Sequence, residues 1–127
     1  IVAEASLDAD EKYTRDVYDE YVERRKCLID GLNRIPGCYS PVPMGAFYTT
    51  AQLPVDDAEK FCAWCLSDFN YEGETVMLAP AAGFYTTPGA GRDQVRIAYV
   101  LNKDDLQRAL LVLRKALEQY PGRTIRQ

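Results

Sequence analysis

The residue of this chain with most chemistry to offer is an arginine in the middle of an apolar strand pattern. Arg96 sits within Val95-Arg96-Ile97-Ala98-Tyr99, directly after a stretch dense in glycine and proline, residues 83–92. A guanidinium in that setting either snorkels to solvent or holds its planar fork toward a carboxylate, and the run by itself leaves both open. The cysteines are arranged less productively. Cys62-Ala63-Trp64-Cys65 has the C-x-x-C spacing that redox and zinc chemistry use. A redox pair opens a helix, where the dipole lowers the thiol pKa. Here Asp56 is the expected N-cap, which puts both thiols roughly two turns inside the helix. Cys27 and Cys38 stand apart, without the close second pair of a four-thiolate zinc site. Cys62 and Cys65 therefore read as small apolar residues on a buried helix face, in a reduced, cytosolic protein without thiol redox chemistry.

The remaining reactive types offer no self-sufficient active site. The chain has no histidine, so no His-based triad, general base or metal ligand can be built from it alone. Pro88-Gly89-Ala90-Gly91-Arg92 lacks the phosphate-loop pattern and leads into a strand rather than a helix. It reads as a hairpin loop or a lid. The pairs Asp56-Asp57 and Asp104-Asp105 fall at helix starts, where carboxylates complement the dipole. The five lysines, Lys12, Lys26, Lys60, Lys103 and Lys115, all fall in or at the ends of helices on polar faces, unlike the desolvated amine of a Schiff-base lysine.

The elements that must position Arg96 follow from caps and periodicity. With 127 residues, 47% hydrophobic and 27% charged, the chain has material for one domain with a real core. A net charge of −4 argues against a nucleic-acid partner and a polybasic membrane anchor. No run approaches the ~18 apolar residues of a membrane span. Asp8 with Glu11 resembles a capping box opening a long helix that carries Tyr13, Val17, Tyr21, Leu28 and Leu32, stopped at Asn33 to Gly37. A second helix is expected from Asp56 to about Asn70, with Ala58, Phe61, Cys62, Cys65, Leu66 and Phe69 as its apolar stripe. A third starts at Asn102, with Leu106, Ala109, Leu110, Leu113, Leu117 and Tyr120 inward, and ends at Pro121-Gly122.

Between the helices lie extended pieces. Residues 39–42 carry Pro41 and suit only an edge or irregular strand. Residues 46–51, 75–79 and 94–100 read as strands, the last with Val95, Ile97 and Tyr99 on one face and Arg96, Ala98 and Val100 on the other. The order helix, two strands, helix, two strands, helix predicts an α+β fold: a small, mostly antiparallel sheet with helices packed on one face.

Several ordered motifs resemble a known unit. Arg24-Arg25-x5-Gly31-Leu32 is followed by Pro43-Met44-Gly45-Ala46-Phe47-Tyr48, then Val76-x3-Pro80-x3-Phe84, Val95-Arg96-Ile97-Ala98-Tyr99 and Leu106-x2-Ala109-x3-Leu113-x3-Leu117. Together, over residues 12–120, they resemble the C-terminal small domain of the fold type I pyridoxal-phosphate-dependent aminotransferases, in the class I/II branch near aspartate aminotransferase. One departure is that Ala81 follows Pro80 where the family often has glycine.

The resemblance implies that Arg96 binds the α-carboxylate of an amino-acid or 2-oxo-acid substrate. It implies that Phe47, Tyr48 and the loop from Ala79 to Phe84 approach the substrate cleft from the small-domain side. It implies pyridoxal 5′-phosphate as cofactor, held by a large domain of the same polypeptide that precedes Ile1 and contains the Schiff-base lysine. Residues 1–127 would then be the small domain of a cytoplasmic, homodimeric transaminase, inactive alone, and a start at Ile1 without Met or signal peptide is expected of such a piece. Two other classes remain open on the residues: a free-standing α+β amino-acid-binding or regulatory module, and an interaction domain whose first helix packs on a partner. A lyase or synthase of the same branch would share the carboxylate arginine.

Overall fold

The computed structural model describes residues 2–125. Helices α1 (Val2–Leu7) and α2 (Glu11–Leu32) are followed by strand β1 (Tyr48–Gln52), helix α3 (Ala58–Ser67), strands β2 (Ala79–Pro80) and β3 (Gln94–Ala98), and helix α4 (Lys103–Gln119). The strands form one antiparallel sheet in the order β1-β3-β2. This is the expected α+β architecture, with a two-residue β2 and an added N-terminal helix.

The register explains the two faces. β3 pairs with β1 from Tyr48↔Ala98 to Gln52↔Gln94, and with β2 at Ala79↔Arg96 and Pro80↔Val95. Opposed residues share a face, so Thr49, Ala51, Val95 and Ile97 turn inward while Tyr48, Thr50, Arg96 and Ala98 turn outward. The inward set meets the helices: Leu28 and Leu32 of α2, Phe61 and Cys65 of α3, and Leu106, Leu113 and Leu117 of α4 form one buried cluster with Val95 and Tyr99. Phe61, Trp64 and Tyr120 stack at one end, with ring centroids 5.1 Å apart for Phe61–Tyr120 and 5.3 Å for Trp64–Tyr120. On the outward face Tyr48, Arg96 and Ala98 are exposed.

Local chemistry shifts several predicted boundaries. The long helix is capped by Asp10, whose carboxylate accepts the Lys12 N–H at 2.9 Å. Asp8 instead falls in the turn after α1. Tyr13 and Val17 lie on an exposed part of α2, and the buried stripe of that helix is confined to its last turns, Leu28, Ile29 and Leu32. On α3 the cap is Asp57, which accepts from the N–H groups of Glu59 and Lys60. Its neighbour Asp56 turns to the end of the chain, accepting the Tyr120 hydroxyl at 3.0 Å. That helix stops at Ser67, and Leu66 points to solvent. The third helix is capped by Asn102 as expected.

The strands are shorter than predicted. Tyr39 makes only a bridge to Gln52, in keeping with its proline-bounded segment. Ala46 is outside β1 because it is left-handed, with φ 61°. Of residues 75–79 only Ala79 pairs with β3. The segment before it departs from Ile97 and Ala98, and an apolar cleft of about 480 Å³ opens there, lined by Val76, Leu78, Ile97, Leu106 and Leu113 among others. Asn33 joins the end of α2 to Ser40 through both backbone groups of that serine, and the Ser40 and Thr49 hydroxyls pair at 2.8 Å. Among the described residues no buried side-chain nitrogen or oxygen lacks a partner. No described helix is long and apolar enough to cross a membrane.

Candidate functional site

Arg96 stands at the middle of the central strand, on its open face. Its cross-strand neighbours are small, Thr50 on β1 and Ala79 on β2. The side chain is therefore free to rise between larger residues one step away. Tyr48, diagonal to it on β1, brings its ring centroid to 4.8 Å from the Arg96 Cζ. Phe84, in the 3-10 turn Ala82–Phe84 that follows β2, brings its centroid to 4.8 Å as well. Two aromatic rings thus reach the same guanidinium from the elements flanking β3. Ring quadrupoles attract a cation without consuming its N–H donors.

No carboxylate of the described residues forms an ion pair with Arg96. Arg108 is the contrast. Glu72 and Glu74 hold it at 2.7 Å each, and their hydrogen bonds push its pKa up. An exposed guanidinium whose donors are left for an outside partner can take a carboxylate in two parallel bonds.

The turn that carries Phe84 is built with care. Ala81, buried, donates its N–H to the Gln94 carbonyl at 2.9 Å. Its φ of −92° is ordinary right-handed backbone, so this position accommodates a side chain. Tyr85 donates its hydroxyl to the Gln94 Oε1 at 2.6 Å. Gly91 lies against that ring: φ is +69° and a Cβ there would stand 2.4 Å from the Tyr85 Cε2. Glycine is required at that point by both backbone and space. Gln94 therefore fixes the turn through its backbone and its side chain, on the strand that bears Arg96.

The other candidates stand outside the pair of rings on the guanidinium. Phe47 stands 5.6 Å from Tyr48 in an edge-to-face pair and is half exposed, beside the arginine cluster without being among the rings on the guanidinium. Cys62 and Cys65 are buried in the core, and burial pushes their thiols up, to about 11 and about 12. Cys38, buried as well, is raised to about 12. Asp57 caps α3 and lies 3.5 Å from Arg92, which ties the end of the 83–92 loop to that helix. Among the described residues no group of three His, Cys, Asp or Glu could hold a metal ion. Lys12, Lys103 and Lys115 pair with Asp16, Glu23 and Glu118, and Lys26 and Lys60 are exposed.

The strand pattern marks Arg96, and the resemblance brings Tyr48 and Phe84 near the cleft, but neither reveals that both rings converge on the guanidinium. The signal available was the pairing of two motifs, Phe47-Tyr48 and Pro80-x3-Phe84, around the V-R-I strand. The alternation of the strand marks Tyr99 only as an inward residue. It also donates its hydroxyl to the Ala46 carbonyl, fixing the turn before Tyr48.

Comparison with known proteins shows the family. No protein-family model matches the chain. It is 33% identical over 109 residues to an aspartate aminotransferase from Pyrococcus horikoshii, an alignment covering 84% of this chain and 26% of that protein. Among solved structures, an aminotransferase from Mycobacterium tuberculosis matches at 32% identity with a TM-score of 0.65, over 80% of this chain and 25% of the other. The aspartate aminotransferase from Rhizobium meliloti matches at 26% identity and a TM-score of 0.68, covering 87% and 28%. The chain spans about a quarter of the length of the curated relatives it matches. The chain belongs to the aminotransferases, in their aspartate aminotransferase-like branch, and its fold is that of their small domain.

Proposed function

We propose that this chain is the substrate-carboxylate-binding, closing small domain of a pyridoxal-phosphate-dependent aminotransferase, which transfers an amino group between an L-amino acid of aspartate-like type and a 2-oxo acid. The observation that carries this reading is the Arg96 fork: exposed, central in the sheet, braced by two rings and without a carboxylate partner among the described residues. A guanidinium stays charged at any working pH and matches a carboxylate in geometry. Arg96 would hold the α-carboxylate that every amino-acid substrate shares, and so orient the bond to be broken, a proximity contribution. Phe47, Tyr48 and Phe84 form an apolar rim around it. Movement of this rim over bound substrate would exclude water from the reacting atoms.

Pyridoxal phosphate, when bound, supplies an electron sink. The residues of this chain do not fit a site for it. A Schiff-base lysine needs desolvation, whereas the five lysines here are exposed or ion-paired at the surface. On this reading the cofactor belongs to a larger domain of the same polypeptide preceding residues 1–127, the whole protein works in the cytoplasm as a homodimer, and residues 1–127 alone are not catalytic. The names of the relatives support amino acids and 2-oxo acids as substrates.

The test is a half-reaction. Full-length protein and its Arg96→Ala variant are mixed with a panel of L-amino acids while the cofactor's absorbance is followed. Removing one partner of a desolvated charge pair costs about 3–5 kcal/mol, a loss of a few hundred-fold or more in kcat/KM. That loss across every amino acid is the expected result. A fully active variant would return Arg96 to a surface role, and a full-length protein without the cofactor's absorbance would favour an amino-acid-binding module instead.

A further inference from the structure

The pair of rings on Arg96 has a consequence of its own. We infer that Tyr48 and Phe84 are positioning residues that hold the Arg96 guanidinium in its carboxylate-receiving orientation before any ligand arrives. The inference rests on Arg96 being the carboxylate site and adds what keeps that site formed.

An exposed arginine has several side-chain torsions and substantial rotamer entropy to lose when it is fixed. A partner that fixed it through a carboxylate would occupy the same N–H fork that a substrate needs. Rings do otherwise. Each ring centroid stands 4.8 Å from the Arg96 Cζ, close enough for the ring's negative face to stabilise the cation. The donors along the guanidinium edge remain available. Because Tyr48 belongs to β1 and Phe84 follows β2, the cation is held from both flanks of β3 rather than leaning to one side.

Both rings are themselves anchored. Tyr48 begins the strand immediately after a turn in which the Tyr99 hydroxyl donates to the Ala46 carbonyl at 2.8 Å and the Tyr99 N–H to the Phe47 carbonyl at 2.9 Å. Phe47 packs edge-to-face on Tyr48 at 5.6 Å. The turn bearing Phe84 is pinned at both ends to Gln94, by Ala81 and by Tyr85. The exposure of the rings, 39% for Tyr48 and 63% for Phe84, means that core packing does not explain them. Preorganisation of this kind lowers the ordering cost of binding and shows as affinity.

The experiment uses the full-length protein loaded with its cofactor, and propanoate as a non-reacting monocarboxylate with propanamide as the uncharged control. Inhibition constants are measured for wild type, Arg96→Ala, Tyr48→Leu, Tyr48→Phe and Phe84→Leu, with thermal unfolding of each variant alongside. Each leucine variant is expected to weaken propanoate binding about five- to tenfold, the range of a partly desolvated cation–ring contact, at an unchanged melting temperature. Tyr48→Phe, which keeps the ring, rescues the affinity. Arg96→Ala abolishes discrimination between propanoate and propanamide. If Arg96→Ala leaves that discrimination intact, the carboxylate reading itself fails. If Arg96→Ala abolishes it while both leucine variants bind propanoate like wild type, the positioning role is overturned and the carboxylate reading stands. Loss in Tyr48→Phe equal to that in Tyr48→Leu would assign the effect to the hydroxyl and overturn the ring argument.

Discussion

Tyr99 and Ala46 are bound to one another across the edge of the sheet. The buried phenol of Tyr99 donates to the Ala46 carbonyl at 2.8 Å, and Ala46 is held left-handed at φ 61°. Desolvation by burial raises the Tyr99 pKa, so the hydroxyl remains a donor through the physiological range. The contact turns the chain from Pro43-Met44-Gly45 into β1, and Tyr48 rises beside Arg96 as a result.

A left-handed backbone costs an alanine roughly 1–2 kcal/mol that a glycine does not incur. Glycine returns about 0.4–1 kcal/mol of this through the entropy of the unfolded chain. Ala46→Gly is therefore expected to stabilise the chain by about 0.5–1 kcal/mol, read as a raised denaturation midpoint. A lowered midpoint would mean that the left-handed turn is not strained.

Much of this was legible beforehand. The three helices, the α+β class and the two faces of β3 followed from capping residues and alternation, because those signals act over a few neighbouring residues. The precise caps did not: a short helix α1 runs to Leu7 and leaves Asp8 in the turn after it, while Asp56 versus Asp57 depends on which carboxylate has another partner. Asp56 has one in Tyr120, sixty-four positions away. The exposure of Tyr13 and Val17 was hidden for a similar reason: a helical stripe shows which face is apolar, not how far the core extends along it. Arg96 was visible as an anomaly in its strand, and its environment needed the two flanking elements to be folded around it.

The cap on α3 gives a pH signature. The Lys60 backbone N–H, together with that of Glu59 and the nearby Arg92 and Lys60 charges, holds the Asp57 carboxyl below its usual range. A carboxylate depressed in the folded state contributes stability above its unfolded pKa and loses it as pH falls through the folded value. Asp57→Ala should cost about 1 kcal/mol at pH 7, and the gap to wild type should close below roughly pH 4. A gap constant across that window in chemical denaturation would contradict the assignment of the cap.

Burial sorts the thiols. Cys38, Cys62 and Cys65 are buried with raised pKa values, whereas Cys27 is only half-buried. Since the thiolate is the reactive form, iodoacetamide at pH 8 should label Cys27 first, and the other three only on unfolding. Mass spectrometry showing Cys62 and Cys65 labelled in the native chain as fast as Cys27 would refute their core placement.

The proposed grip of Arg96 on the α-carboxylate should show as discrimination between substrates with and without that group. Full-length wild type and Arg96→Ala are assayed with the preferred L-amino acid and with the amine obtained by removing its α-carboxylate. Wild type should favour the amino acid strongly, and Arg96→Ala should lose a few hundred-fold or more in kcat/KM on the amino acid, while its rate on the amine changes little. Equal losses on both substrates, or none on either, would contradict it.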